Sequence, residues 1–488
     1  MTHHEVIIAG GGPTGLMLAG ELALAGVDVL VVERRETQEL AGMRAGGLHS
    51  RTLELLEQRG IAERFLSAGQ VMQVQGFALI PLDISDFPTR FNHGLAIWQN
   101  QIEAILAEWV GELGVSILRG VEVVGFRQDE KGVEVELSDA RTLQGAYLVG
   151  CDGGRSLIRK LASIAFPGFD ASTSWMIAEA EFSEVPELGF RRDASGTHAI
   201  GRREEGEPYR VVLTEPGTEA TGEPSLEDLR AALVAIYGDD FGLQSVRWIS
   251  RFTDMTRQAA SYRVSRVLLA GDAAHVHPPQ GGQGLNTGVQ DAINLGWKLA
   301  QVVKHLSPES LLDTYHAERH PVAARVLHNT RAQVSLSRPG ERHQALRDIM
   351  AELLGQDEAR RRIAAMMSGL DIHYDLGEGH PLLGRRIPDL DIATAEGTRR
   401  VSSWMHDGRP LLLNLGGPGA FNVAPRAPRV RQVDGSYEGT WELPVLGQVE
   451  APEAVLIRPD GYVAWVGSLE DPGLGDVLTR WFGVGGDS

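Results

Sequence analysis

The chain opens on a run with no polar position, Val6-Ile-Ile-Ala9, the pattern of a strand buried on both faces. Gly10, Gly12 and Gly15 follow at G-x-G-x-x-G spacing. Leu16, Leu18, Ala19, Leu22, Ala23 and Ala25 then recur in a helical pattern as far as Gly26, and a second largely apolar run, Val27 to Val32, ends in Glu33. The pattern predicts strand, tight turn, helix, strand and a terminal acid. The first glycine permits the turn, the second admits a pyrophosphate close to the backbone, and the third lets the helix pack near the sheet. The helix start offers unpaired N–H groups and partial positive charge to phosphates. Glu33 is placed to accept hydrogen bonds from a ribose 2′-hydroxyl, which disfavours a 2′-phosphate. Together these features mark a dinucleotide site; the motif alone leaves FAD and NAD(P) open.

Further along, a helix is expected from about Ser50 to Arg59, closed by Gly60. Another follows Trp98-Gln99-Asn100, with Ile102, Ile105, Leu106, Trp109 and Leu113 on one face and Asn100 as its N-cap. Residues 71–97, punctuated by Pro81 and Pro88, have no helical period and read as a hairpin of another domain. Strands are expected over 116–119, 121–127 and 132–138, and another leads into Tyr147-Leu-Val-Gly-Cys-Asp152-Gly-Gly-Arg155. From 173 to 249 the texture changes. Trp175–Phe182 and Tyr209–Leu213 alternate like antiparallel strands, and Leu226–Tyr237 is amphipathic, which predicts an inserted sheet domain. The first domain resumes at Arg266. A buried strand, Val267–Ala270, runs into Gly271-Asp-Ala-Ala-His-Val-His-Pro-Pro-Gln-Gly-Gly-Gln-Gly-Leu-Asn286 and then a long helix. Residues 331–367 read as helical, interrupted at Pro339-Gly340. Leu411–Leu415 and a hairpin over Ala454–Trp465, turning at Asp460-Gly461, predict a last sheet.

With 488 residues the chain is long enough for two or three domains, and 43% hydrophobic with 23% charged residues is ordinary for a globular protein. The net charge of −19 argues against nucleic acid or an anionic membrane surface as partner. No long apolar segment or leader is evident, so the expected location is cytoplasmic, and His3 and His4 read as a short exposed tail. A single cysteine, Cys151, excludes an intramolecular disulfide, a CxxC pair and a cysteine zinc cluster; it reads as a small buried residue. His275 and His277 lack the carboxylates or cysteines of a metal site. Arg44, beside glycines, could pair with a pyrophosphate or serve only as a surface ion-pair partner. Asp272 could bind sugar-like hydroxyls, and the backbone N–H groups around Gly282–Asn286 could meet negative charge at a helix start.

Three blocks thus stand in one order: Gly10-x-Gly12-x-x-Gly15 with Glu33, Cys151-Asp152-Gly153, and Gly271-Asp272 through Gly284-Leu-Asn286, followed by Tyr315-His-Ala-Glu-Arg319-His-Pro321. In this the chain resembles single-component, FAD-dependent aromatic hydroxylases of the p-hydroxybenzoate hydroxylase type. Within that family it is most similar to the polyketide hydroxylases of angucycline and anthracycline pathways and to rifampicin monooxygenases. The resemblance implies an α/β fold: a Rossmann-like FAD-binding domain (1–70, 98–172, 258–330), an inserted antiparallel-sheet substrate domain (71–97, 173–257), a helical connector (331–398) and a thioredoxin-like domain without CxxC (399–488). It implies FAD contacts at Gly10, Gly12, Pro13, Thr14, Gly15 and Arg34, with Glu33 on the ribose and Arg44 on the pyrophosphate. Gln99 would reach the phosphate or ribityl chain, Val123 the adenine by main chain, and Asp272 the ribityl hydroxyls. Pro279, Gly282, Gln283, Gly284, Leu285 and Asn286 would face the flavin, and Asp152 would serve both FAD and NAD(P)H.

The implied reaction is hydroxylation of a polycyclic aromatic polyketide in antibiotic biosynthesis, with NAD(P)H and O2 consumed and a C4a-hydroperoxide of the flavin as oxidant. The flavin supplies this chemistry, so no catalytic acid or base is assigned. Trp98, Trp175, His198, Tyr209 and Arg210 are substrate-pocket candidates that the sequence does not rank. Antibiotic inactivation or Baeyer–Villiger oxidation on the same fold is a second reading. A third, of another class, is a cyclase or binding protein with structural FAD. Monomer and homodimer are both compatible with the chain.

Overall fold

The structure, a computed structural model, describes residues 2–40, 42, 45–73, 75–202, 205–218, 222–417, 423, 427–468, 471 and 473–483. Its central sheet is built from five parallel strands in the order Val267–Leu269, Thr142–Gly150, Thr2–Ala9, Val29–Glu33 and Ser116–Arg119. Val6, Ile7 and Ile8 are wholly buried because helices cover both faces, as their unbroken apolar run requires. The first strand begins earlier than its hydrophobic pattern. His3 and His4 pair with Gln144 and Gly145, and His4 meets Asp28 at 3.0 Å, so these histidines belong to the sheet and are not a tail. Ala9 lies opposite both Val32 and Gly150, and Gly150 opposite Leu269. The strands therefore end together, and the residues just beyond them, Gly10, Glu33, Asp152 and Asp272, come to one edge. Ligands bind such open sheets at this carboxyl edge.

The inserted domain is a five-stranded antiparallel sheet, in the order Gly189–Arg192, Thr197–Gly201, Tyr209–Thr214, Ser174–Phe182 and Leu243–Thr253. Its alternation is two-faced. Met176, Ala178, Ala180, Tyr209, Val211 and Leu213 pack under the helix Leu226–Tyr237 with Leu229 and Leu233. Trp175, Ile177, Arg210, Val212, Trp248 and Phe252 face the other way, into a cavity.

Three further expectations change. Residues 71–97 do not join this sheet. They form two ribbons of their own, Gln70–Met72 with Gly94–Ala96 and Gly76–Phe77 with Ile80–Pro81. Phe77, Leu82, Ile84 and Phe87 instead pack against Leu336, Leu354, Ala365 and Met367 of the helical segment. The last unit begins before 399, because Leu382, Ile387, Leu390 and Ile392 share one core with Leu411, Trp441 and Ile457. The helix after Trp98 starts at Gln99, so Asn100 lies inside its first turn and is not the cap; Gln101 Oε1 reaches back to the Trp98 N–H at 3.4 Å.

The last unit has the sheet order Arg431–Asp434, Leu411–Asn414, Ala454–Ile457 and Val463–Gly467. The first pair is parallel and the others antiparallel, a thioredoxin-like arrangement. Its hairpin tip is driven into the first domain. Arg458 donates two 2.7 Å hydrogen bonds to Glu318, and Asn294 bonds both Glu318 and Asp460.

Candidate active site

The glycine turn is shaped for a ligand. A Cβ at Gly15 would fall 2.0 Å from the Gly10 carbonyl oxygen, so only glycine lets this helix sit so close to the strand end. A Cβ at Gly12 would meet no protein atom within 4 Å; that space opens above the start of the helix Pro13–Leu24, which has no side-chain cap. Thr14 wedges between Gly271 and Gly288, joining the first motif to the third.

Glu33 is buried at its strand end. Its Oε2 accepts from Gly11 N at 2.7 Å, and its Oε1 from Arg35 N and Nε at 2.9 and 3.1 Å. Burial pushes its carboxyl up, but the Arg35 and Gly11 hydrogen bonds outweigh this and hold it below the usual glutamate value. Arg35 Nη2 adds a longer contact to Oε2 at 3.4 Å, and a ribose hydroxyl would compete with it there. The neighbouring Arg34 is exposed; Arg35 is the inward arginine, and it continues to Glu103 at 2.8 Å. Glu103 also accepts from Gln38 and Gln99, each at 2.9 Å. Arg35, Gln38 and Glu103 escape a motif search. The available signal was a buried acid one turn after Gln99. Val123 is buried at the start of its strand, two residues beyond Val121, whose N–H reaches the Glu33 carbonyl at 3.4 Å. Arg44 lies outside the described residues.

Asp152 is engaged within the protein. Its oxygens accept from Ser156 Oγ at 2.5 Å and from the N–H groups of Leu157 and Ile158 at 2.7 and 3.1 Å, so it caps the short helix Leu157–Leu161. Burial pushes the Cys151 thiol up, with Asp152 adding to the effect, and the thiol is not poised as a nucleophile.

The third block is the most constrained. Gly281 and Gly282 both adopt left-handed backbone, φ 76° and 63°, and turn the chain into the helix Gln283–Val303, whose N-terminus has no side-chain cap. Asn286 ties that start to the preceding loop: its Oδ1 accepts from His49 N at 2.8 Å and its Nδ2 donates to the carbonyls of Gly47 and Gly282. The Gln283 side chain turns away to Asn329, and Leu285 packs against the main core. Pro279, Asp272 and His277 line the cavity. Asp272 has no hydrogen-bond partner among the described residues. It is exposed at the cavity, an acceptor open to a ligand. Burial lowers His277 to about 4, which keeps it neutral, with Nδ1 on the Pro278 carbonyl at 2.8 Å. His275 is not free to bind a ligand; its Nε2 meets Asp291 at 2.7 Å.

The cavity, of about 1020 Å³, lies between these residues and the open face of the inserted sheet. Trp175 and Phe252 stack there with ring centroids 5.2 Å apart. Of the pocket candidates, Trp175, His198 and Arg210 line it, Trp98 lies under the Arg210 guanidinium, and Tyr209 faces the opposite side of the sheet. His198 Nδ1 accepts from Thr214 N at 3.1 Å, so Nε2 carries the hydrogen and points to Asp193 and Ser195, both at 3.2 Å. That tautomer cannot take a proton from Ser195. The uncapped helix starts, the vacant space at Gly12 and the unpartnered Asp272 together fit a flavin dinucleotide.

Comparison with known proteins agrees. Residues 3–330 match a family model described as an FAD binding domain, and residues 380–484 one described as the aromatic-ring hydroxylase C-terminal domain. The chain is 46% identical to a rifampicin monooxygenase of Streptomyces venezuelae, over 98% of this chain and 99% of that one. The anhydrotetracycline hydroxylase OxyS from Streptomyces rimosus superposes with a TM-score of 0.90 at 43% identity, covering 99% of each chain. A dialkyldecalin synthase of Streptomyces rugosporus is 39% identical over 98% of both. No helix among the described residues is long and apolar enough to cross a membrane. The two shaped motif turns, the converging strand ends and these matches agree: the chain belongs to the FAD-binding aromatic-ring hydroxylases and is an FAD- and NAD(P)H-dependent flavoprotein monooxygenase.

Proposed function

We propose that this monooxygenase hydroxylates a polycyclic aromatic polyketide in antibiotic biosynthesis, using O2. The observation that carries the reading is the cavity. Its about 1020 Å³ hold the flavin's end beside Asp272 and Pro279 and leave, under the sheet, more room than one phenol ring needs. Its stacked Trp175 and Phe252 suit a flat, fused-ring ligand. The relatives named for rifampicin and anhydrotetracycline act on molecules of this size class.

When bound, FAD supplies the oxygen-activating redox chemistry. In this reading Glu33 accepts the ribose hydroxyls, and Gly12 with the start of Pro13–Leu24 takes the pyrophosphate, assisted by Arg44. Gln99 and Val123 contribute at the phosphate and adenine, and Asp272 accepts from the ribityl chain. The N–H groups following Gly282 lower the energy of negative charge on the pyrimidine edge, because a helix start carries partial positive charge. The sheet face excludes water from the reacting ring. The acidic net charge of −19 suits a cytoplasmic enzyme without a nucleic-acid or membrane partner, acting as monomer or homodimer.

The test is turnover of the FAD-loaded enzyme with anhydrotetracycline, rifampicin and a set of tetracyclic phenols. Substrate-stimulated NADPH consumption, with an oxygen atom from isotopically heavy O2 in the product, is the expected result. Ring closure of a polyene with no NADPH consumed would instead place the chain functionally with the dialkyldecalin synthase and overturn the reading.

A further inference from the structure

In the small ribbon over residues 76–81, Gly76 pairs with Pro81 and Phe77 with Ile80, so Ala78 and Leu79 make the whole turn. Both adopt left-handed backbone, φ 51° and 67°. A two-residue hairpin of this kind needs that conformation at both positions and favours Asn-Gly or Gly-Gly there. A leucine is poorly suited to it, because its Cβ crowds the backbone. The flanks hold the turn in place. Phe77 and Ile80 pack with Leu336, Leu354 and Met367, and the buried Gln333 accepts from the Ala78 N–H at 3.1 Å. The Gln333 amide also lies 3.3 Å from where a Cβ on Gly281 would stand. One side chain thus ties the hairpin tip to the glycine turn of the third block. Leu79 itself takes no part in that packing. Its side chain is 52% exposed and lines the cavity. Strained backbone persists only where its surroundings impose it, and it collects at ligand sites. Here the strain serves to hold an apolar side chain in the open, beside the Gly281 turn.

We infer that Leu79 is a specificity-determining residue: it is a fixed stop at the flavin end of the cavity that sets how far a fused-ring substrate advances, and so which ring carbon is oxidised. The inference rests on the polycyclic-substrate reading above and makes it narrower. A fused-ring ligand is rigid and cannot bend around a branched side chain. Its position therefore follows the wall it meets, and a shift of about 1 Å in a bound reactant changes its reactivity by orders of magnitude. The strained turn makes the stop rigid, since both of its flanks and the Ala78 N–H are anchored. Covering Leu79 with the ring edge also removes apolar surface from water, which favours the fully advanced position. The stacked Trp175 and Phe252 line the same cavity and supply the flat surface along which the rings advance.

The experiment compares the FAD-loaded wild type with Leu79→Ala, Leu79→Gly and Leu79→Phe, using anhydrotetracycline, a set of tetracyclic phenols and a two-ring naphthol. Products are separated and the position of the new oxygen is assigned in each. Leu79→Ala and Leu79→Gly are expected to give additional positional isomers from a tetracyclic phenol that wild type oxidises at one carbon. Leu79→Phe should shift the ratio of kcat/KM for naphthol over tetracyclic phenol by roughly tenfold or more towards naphthol, the scale of a size change in an apolar pocket. Leu79→Gly also removes the Cβ that the left-handed turn crowds, so its FAD-free form should melt no lower than wild type. The same single isomer from wild type, Leu79→Ala and Leu79→Gly, with an unchanged ratio in Leu79→Phe, overturns the assignment of Leu79 alone. A clearly lower melting point in Leu79→Gly would make the leucine a residue of the fold and overturns it as well. If wild type oxidises none of the tetracyclic compounds, the substrate-class reading falls and this inference falls with it.

Discussion

Asp291 Oδ1 and Arg319 Nε lie 2.7 Å apart with neither side chain reached by solvent. The other carboxylate oxygen meets His275 Nε2 at 2.7 Å and the Gly271 N–H at 3.2 Å. One buried acid therefore joins the Gly271–His275 turn, the helix that follows Gly281 and Gly282, and the helix Asp313–Ser337. The Tyr315 hydroxyl adds a 2.8 Å bond to the Leu269 carbonyl. The two polar blocks at 271–277 and 315–321 are thus largely scaffold for the site.

Asp291→Asn should be severely destabilising. It leaves Arg319 buried without its counter-charge, and breaking such a pair costs about 3–5 kcal/mol, a large share of the about 5–15 kcal/mol that holds a typical domain. Urea denaturation of the FAD-free protein measures this. A midpoint equal to wild type would show that the network carries no net stability.

Acid sensitivity should localise to the hairpin junction. Arg458 and Lys298 hold Glu318 at about 2, against an ordinary value of 4.5, although burial alone would raise it. A carboxyl depressed on folding contributes its stability fully above about pH 4.5 and loses it progressively as the pH falls towards 2. Glu318→Gln should be less stable at neutral pH and show a shallower loss over that window. Stability curves of equal slope for the two proteins would count against the assignment.

The βαβ unit was legible because its strand is apolar at every position, its glycines have fixed spacing and its acid closes the second strand. The inserted sheet was legible because Trp175–Phe182 and Tyr209–Leu213 alternate. What the sequence hid lies between distant segments. Nothing near Glu103 marks it as the partner of Arg35, 68 residues earlier. Nothing in Arg458-Pro-Asp460 shows that this hairpin ends on Glu318, 140 residues away. Residues 71–97 offer only a lack of helical period and two prolines, which do not say what they pack against. Their apolar side chains are short-range neighbours of helices more than two hundred residues later in the chain, a pairing that periodicity does not encode.

The second and third glycines of the first motif should separate ligand binding from fold. Gly15→Ala puts a Cβ against the Gly10 carbonyl and must displace the helix, costing about 1–3 kcal/mol as overpacking does. Gly12→Ala meets only open space, so its thermal midpoint without FAD should match wild type while FAD affinity falls by roughly tenfold or more. Equal FAD affinity in Gly12→Ala would mean the phosphates do not lie there.

Asp272→Ala should act on the cofactor and not on the fold. The Asp272 carboxyl is exposed at the cavity and has no hydrogen-bond partner among the described residues. Its removal breaks no hydrogen bond within the protein, so the FAD-free variant should be about as stable as wild type. A bound ribityl chain would lose a charged acceptor, a difference of about 1.5–3 kcal/mol, or roughly ten- to a hundredfold in affinity. Flavin fluorescence released during dilution reads the affinity, and a melting curve of the FAD-free protein reads the fold. A variant that purifies fully yellow and holds FAD as tightly as wild type would remove Asp272 from the cofactor site; one that unfolds without FAD present would make it a structural residue instead.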